Sequence, residues 1–137
     1  MSHDAQSTAF RARAGALISL VDDDESVRTS TSRLLRAMGF IVQSFSSAED
    51  FLSSPCVHET ACLILDVQMP GTSGPELQTR TIEMGLEIPV IFVTANAEER
   101  NRILEAERRA VDVLLKPFGE EALLRAVKTA LISKTFP

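Results

Sequence analysis

The chain has 137 residues, 45% of them hydrophobic and 24% charged, and a formal net charge of −5. That length fits one domain with a proper core, and the composition is that of a soluble globular protein. An acidic chain with no cluster of Lys and Arg argues against nucleic-acid binding by this domain, and no apolar run approaches the roughly 20 residues that span a bilayer.

The first 16 residues are polar and patternless, lack the apolar centre of a signal peptide, and are expected to form a flexible tail (1–16) on a cytoplasmic protein. LISLV, Leu17–Val21, then reads as a buried strand. It runs directly into Asp22, Asp23, Asp24 and Glu25. Two unit charges about 5 Å apart repel by on the order of 3 kcal/mol at an effective dielectric of about 20, so such a cluster calls for a cation or a raised pKa. A helix start absorbs one or two of the acids, with Asp24 as N-cap and Glu25 near the positive end of the helix dipole.

The helix over 25–38 places Val27, Leu34, Leu35 and Met38 on one face, and Gly39 follows as its C′ residue. Residues 40–45 read as a short strand, and Ser46 with Glu49 as a capping box that opens a helix to about Ser53, stopped by Pro55. ACLILD, 61–66, is a continuous apolar strand ending on Asp66, followed by the turn residues of MPGTSG. Ser73 and Glu76 form a further capping box for a helix to about Met84, ended by Gly85.

Residues 89–93 are a fourth strand that ends in Thr94, and Asn96 with Glu99 caps a charged helix reaching about Arg109. On it Glu98, Arg102, Glu105 and Arg109 are spaced for i,i+4 pairs worth a few tenths of a kcal/mol each, and the helix reads as a solvated face. The fifth strand, 111–115, ends at Lys116-Pro117, and a helix over 119–133 with Leu123, Leu124, Val127, Ala130 and Leu131 on one face closes a domain spanning 17–133, leaving 134–137 as a C-terminal tail. Cys56 and Cys62 are expected to be reduced, with Cys62 buried, and His3 and His58 to lie at the surface. Five strand–helix units without a hairpin specify an α/β fold, a five-stranded parallel sheet with five helices on both faces.

In an open parallel sheet the functional crevice lies at the carboxyl ends of the strands. There this sequence puts Asp22, Asp23 and Asp24 after the first strand, Asp66 after the third, Thr94 after the fourth and Lys116 after the fifth. As chemistry the set suits phosphoryl transfer. Carboxylate oxygens suit Mg²⁺, an ionised Asp66 is already a nucleophile, and Lys116 and Thr94 can meet charge on the transferring group.

On these residues the chain resembles the response-regulator receiver domains of two-component signalling, with LVDDDESVR as the acidic start, LILDVQMPGTSG as the phosphoacceptor segment, VIFVTAN as the Thr segment and VDVLLKPF as the Lys-Pro end. The nearest likeness is to the FixJ-like receivers of the nitrogen-fixation type, and it spans residues 17–131. The resemblance implies a flavodoxin-like, CheY-like fold and a signalling phosphoacceptor that catalyses only its own phosphorylation and dephosphorylation. Asp66 would accept a phosphoryl group from a sensor histidine kinase or phosphotransfer protein. Asp23 would bind Mg²⁺ directly, Asp22 through water and Gln68 through its backbone carbonyl, with Asp66 completing the set. Thr94 and Lys116 would sense the phosphoryl oxygens, Gln68 and Asn96 would flank the route of attacking water, and the Lys116-Pro117 bond would be cis. A homodimer through the fourth helix, fifth strand and fifth helix is the pairing such domains offer.

Two positions depart from the family pattern. Val113 stands where an aromatic residue commonly rotates with the Thr, and Arg109 where a glycine commonly precedes the fifth strand. They keep a phosphate-independent binding module as the alternative. A metal-dependent phosphohydrolase would want a second acid just after the nucleophile, where Val67 and Gln68 stand, and a dinucleotide enzyme would want GxGxxG after the first strand.

Overall fold

The computed structural model describes residues 15–106 and 109–135. Along these run β1 (Leu17–Val21), α1 (Glu25–Ala37), β2 (Ile41–Phe45), α2 (Ala48–Ser53), β3 (Cys62–Asp66), α3 (Gly74–Glu83), β4 (Val90–Thr94), α4 (Ala97–Ala106), β5 (Ala110–Leu115) and α5 (Glu120–Thr135), with a 3₁₀ turn at Pro55–His58. All pairings are parallel in the order β2-β1-β3-β4-β5. This is the flavodoxin-like order, and it puts the reversal of chain direction across the sheet between β1 and β3.

Because side chains alternate across a strand, each central strand feeds two cores. Cys62 and Ile64 of β3 pack with Leu35 of α1 and with Leu123, Val127 and Ala130 of α5, whereas Leu63 and Leu65 pack with Phe51 of α2, Leu77 of α3 and Ile103 of α4. Each Leu, Ile, Val or Phe among them, fully buried, contributes about 1.5–3 kcal/mol. In α5 the buried stripe is Leu123, Ala126, Val127, Ala130 and Leu131, with the expected Leu124 half-buried at its margin. Among the described residues no helix is long and apolar enough to cross a membrane.

The elements differ from the sequence reading mainly at their ends. The N-cap of α2 is Ser47, whose hydroxyl accepts from Asp50 N–H, rather than Ser46. Glu49, the expected capping partner, instead accepts the hydroxyl of Thr72 across 23 residues. Helix α4 is described only to Ala106, and Arg109 already lies in the exposed turn before β5, because the chain must reverse there to bring Ala110 beside Val90. Arg109 itself does not have a positive φ, so its position does not require a glycine. The i,i+4 pairs of α4 do not close; among the described residues the ion pairs within 4.0 Å are those of Lys116. Exposed pairs gain too little to hold two long side chains in one geometry. At the other end α5 continues to Thr135, with no Gly or Pro to stop it earlier, while residues 1–14 of the expected N-terminal tail, with His3, and residues 136–137 of the C-terminal one lie outside the described residues.

Candidate functional site

Four of the five strands each deliver one polar group to the same rim. Asp22 follows β1, Asp66 ends the adjacent β3, Thr94 ends β4 and Lys116 follows β5. Oxygens of Asp22, Asp23 and Asp66 lie within 4.8 Å of one another. Lys116 Nζ reaches across from the sheet edge to within 2.9 Å of Asp22 Oδ2 and 3.6 Å of Asp66 Oδ2. Its backbone N–H donates to Thr94 O at 2.7 Å, and the Lys116-Pro117 peptide is cis, as the resemblance implies.

The four consecutive acids divide as local geometry requires. Asp24 is the N-cap of α1, its Oδ1 accepting from Ser26 N–H at 2.8 Å and Val27 N–H at 3.2 Å, and Glu25 occupies the first turn. Asp22 is almost wholly buried, and both its carboxylate oxygens are engaged, Oδ1 by Asp24 N–H at 2.9 Å and Oδ2 by Lys116. Arg28 holds the Asp22 carbonyl at 2.7 Å. Asp23 is exposed at the crevice mouth.

Burial first, then the charge of Asp22, push the Asp66 carboxyl up to about 7, against the pull of Lys116. For Lys116 burial acts downward, but the hydrogen bond and charge of Asp22, followed by the charge of Asp66, leave its pKa raised, so it stays a cation. Behind Asp66 the chain is pinned by Gly74. A Cβ there would lie 2.5 Å from the Asp66 carbonyl oxygen, so the start of α3 packs against the end of β3 only because residue 74 has no side chain. Ser73 and Glu76 close the expected capping box at this helix start.

The hydroxyl of Thr94 is not turned to Asp66. It donates to Glu99 Oε1 at 2.6 Å, and Glu99 Oε2 accepts from Gln68 Nε2 at 2.8 Å. In the sequence Glu99 is only the partner of Asn96 in a helix cap. The cap does form, with Glu99 N–H donating to Asn96 Oδ1 at 3.0 Å, yet Asn96 N–H goes to Thr94 Oγ1 at 3.1 Å and leaves the Glu99 carboxylate free for the crevice. The available signal was topological: every helix of such a sheet aims its N-terminus at this rim, so an acid in the first turn lies close to it. Val113, fully buried, packs with Ile103 of α4, and its carbonyl accepts Arg100 Nε at 2.9 Å.

Residues 18–128 match the family model described as the response regulator receiver domain. The response regulator protein TmoT of Ectopseudomonas mendocina is 40% identical over 85% of this chain and 53% of its own length. The transcriptional regulatory protein FixJ of Azorhizobium caulinodans is 33% identical over 83% of this chain and 54% of its own length. The solved structure of the response regulator StyR superposes with a TM-score of 0.78 at 38% identity, covering 88% of this chain and 61% of that one. The chain thus spans about half the length of the curated relatives it matches.

Proposed function

The chain belongs to the response-regulator receiver family, and from that premise we propose that Asp66 is the residue that accepts the phosphoryl group, from a histidine kinase or a phosphotransfer protein. The observation that carries the reading is the position of Asp66: it is the one carboxylate that ends a central strand, and Lys116 Nζ stands 3.6 Å from its Oδ2. A carboxylate oxygen of Asp66 forms the new P–O bond as the P–N bond of a phosphohistidine breaks, and the departing imidazole takes up a proton. Lys116, held cationic, meets charge on the transferring group, and no separate base is needed.

The donor set of Asp22, Asp23 and Asp66 is all carboxylate oxygen and carries more negative charge than Lys116 offsets, which fits a hard divalent cation such as Mg²⁺. Asp23 and Asp66 would hold it, with the Gln68 backbone carbonyl, while Asp22, both oxygens engaged, would act through water. When bound it supplies positive charge that keeps Asp66 ionised and neutralises phosphoryl oxygens. For self-association, Leu104 of α4 and Leu115 of β5, both exposed, support pairing through the α4–β5–α5 face. The test of the acceptor is chemical. Incubation with acetyl phosphate and Mg²⁺ should label Asp66 alone; full labelling of Asp66→Ala would refute the assignment.

A further inference from the structure

The geometry points to Glu99 as a positioning residue that decides when Thr94 is free to bond a phosphoryl group, an inference that rests on the phosphoacceptor reading of Asp66. A threonine hydroxyl has one proton to give. Here it is given to Glu99 Oε1 at 2.6 Å, in the short charge-assisted geometry of a strong hydrogen bond. Thr94 is only 2% exposed, so water does not offer it a ready alternative. A phosphoryl oxygen on Asp66 and the carboxylate of Glu99 therefore compete for one proton, and only one anion can hold it at a time.

The rest of the arrangement fixes Glu99 in that competing position. Its second oxygen is held by Gln68 Nε2 at 2.8 Å, which ties the first turn of α4 to the loop after β3 and forms part of the wall of a cleft of about 540 Å³. Were Glu99 only a helix cap, its carboxylate would accept from Asn96 N–H. That N–H instead donates to Thr94 Oγ1 at 3.1 Å, so the side chain of Glu99 makes no capping hydrogen bond to its own helix start. The backbone of residue 99 is capped independently by Asn96 Oδ1 at 3.0 Å, and removal of the Glu99 side chain leaves that cap in place.

The chain contains no Trp or Tyr, so the readout is the ¹⁹F resonance of bound beryllofluoride, a phosphoryl mimic, titrated with Mg²⁺ into the full chain. Glu99→Ala should lower the half-saturating concentration about tenfold, the size expected for freeing a hydrogen bond to a charged group. Glu99→Gln, of the same shape, should lower it less, because its carbonyl still accepts the proton of Thr94 without the charge. In a Thr94→Val background Glu99→Ala should change nothing, since no proton remains to compete for. An unchanged titration in Glu99→Ala, with the wild type binding normally, would overturn the inference. So would an equal gain in the Thr94→Val background, which would mean that Glu99 acts by charge alone. Failure of the wild type to bind beryllofluoride would overturn the phosphoacceptor reading itself.

Discussion

The two halves of the crevice are built to different tolerances. On the β1–β3 side, Asp22 follows β1 and Asp66 ends the adjacent β3, Asp22 has both carboxylate oxygens engaged, and Gly74 locks α3 against the Asp66 carbonyl. On the β4–β5 side, the Thr94 hydroxyl is held by Glu99 and by Asn96 N–H at the start of a short helix in which Ile103 is the only described residue buried beyond nine-tenths. Elements with little buried apolar contact are the ones that open at low cost. Under the proposed roles, the first half suits an acceptor that must stay in place and the second a sensor that must move.

The largest effect should come from the rigid half. Gly74→Ala, which forces a Cβ to 2.5 Å from a backbone oxygen, is expected to cost roughly 3 kcal/mol, a fall in melting temperature of about 10 °C, and to lower phosphorylation with it. A Gly74→Ala protein with unchanged melting would show that the β3–α3 junction is looser than its packing implies.

Next in size is a pH effect on the same side. Asp66 is raised from 3.8 to about 7 in the folded chain, so between those values the native state binds more protons than the unfolded one. The contribution of Asp66 to stability in the absence of divalent metal is then fully present below about pH 4, falls as pH rises to 7, and flattens above it, by on the order of 2 kcal/mol after allowance for solvent at the crevice mouth. Denaturant titrations across that window should show the slope in the wild type and its loss in Asp66→Asn; an identical slope in both would place the titration elsewhere.

Smaller still is the contrast between neighbouring acids. Asp23→Asn should weaken Mg²⁺ binding about tenfold, whereas Asp24→Asn, which keeps a good N-cap, should change it little. Equal losses by calorimetry would mean that the ligand and the cap have been exchanged.

The smallest response is expected from the β4–β5 half. Beryllofluoride should alter hydrogen exchange in the first turn of α4, where Glu99 is released, but shift protection across Val111–Lys116 by less than about 1 kcal/mol. Val113 is stiff at χ1, fully buried, and offers no ring to follow Thr94. Strong new protection throughout β5 would show that another residue amplifies the change.

Much of this was written locally in the chain. Apolar runs ending in Asp22, Asp66, Thr94 and Lys116 mark strands and their functional ends because side-chain burial stops where the sheet stops, and Asp24 is legible as a cap because its partners, Ser26 and Val27, lie within three residues. Local pattern left open the partner of each carboxylate three residues after an expected cap. Ser46 with Glu49 and Asn96 with Glu99 carry the same capping pattern, yet Glu49 turns to Thr72 and Glu99 to Thr94 and Gln68. A carboxylate chooses among donors by where they stand in space, and donors 23 or 31 residues away leave no periodicity to read.

By itself, then, the sequence determined the order of strands and helices, the parallel sheet and the identity of the polar groups at its rim, since these follow from burial, period and capping within a few residues. Only the tertiary structure decided that Lys116 pairs with Asp22 across 94 residues, that Asp66 is pushed toward neutrality, and that the hydroxyl of Thr94 donates to Glu99. Those depend on distances between strand ends and on the exclusion of water from the space between them, and neither exists until the sheet has closed its two cores.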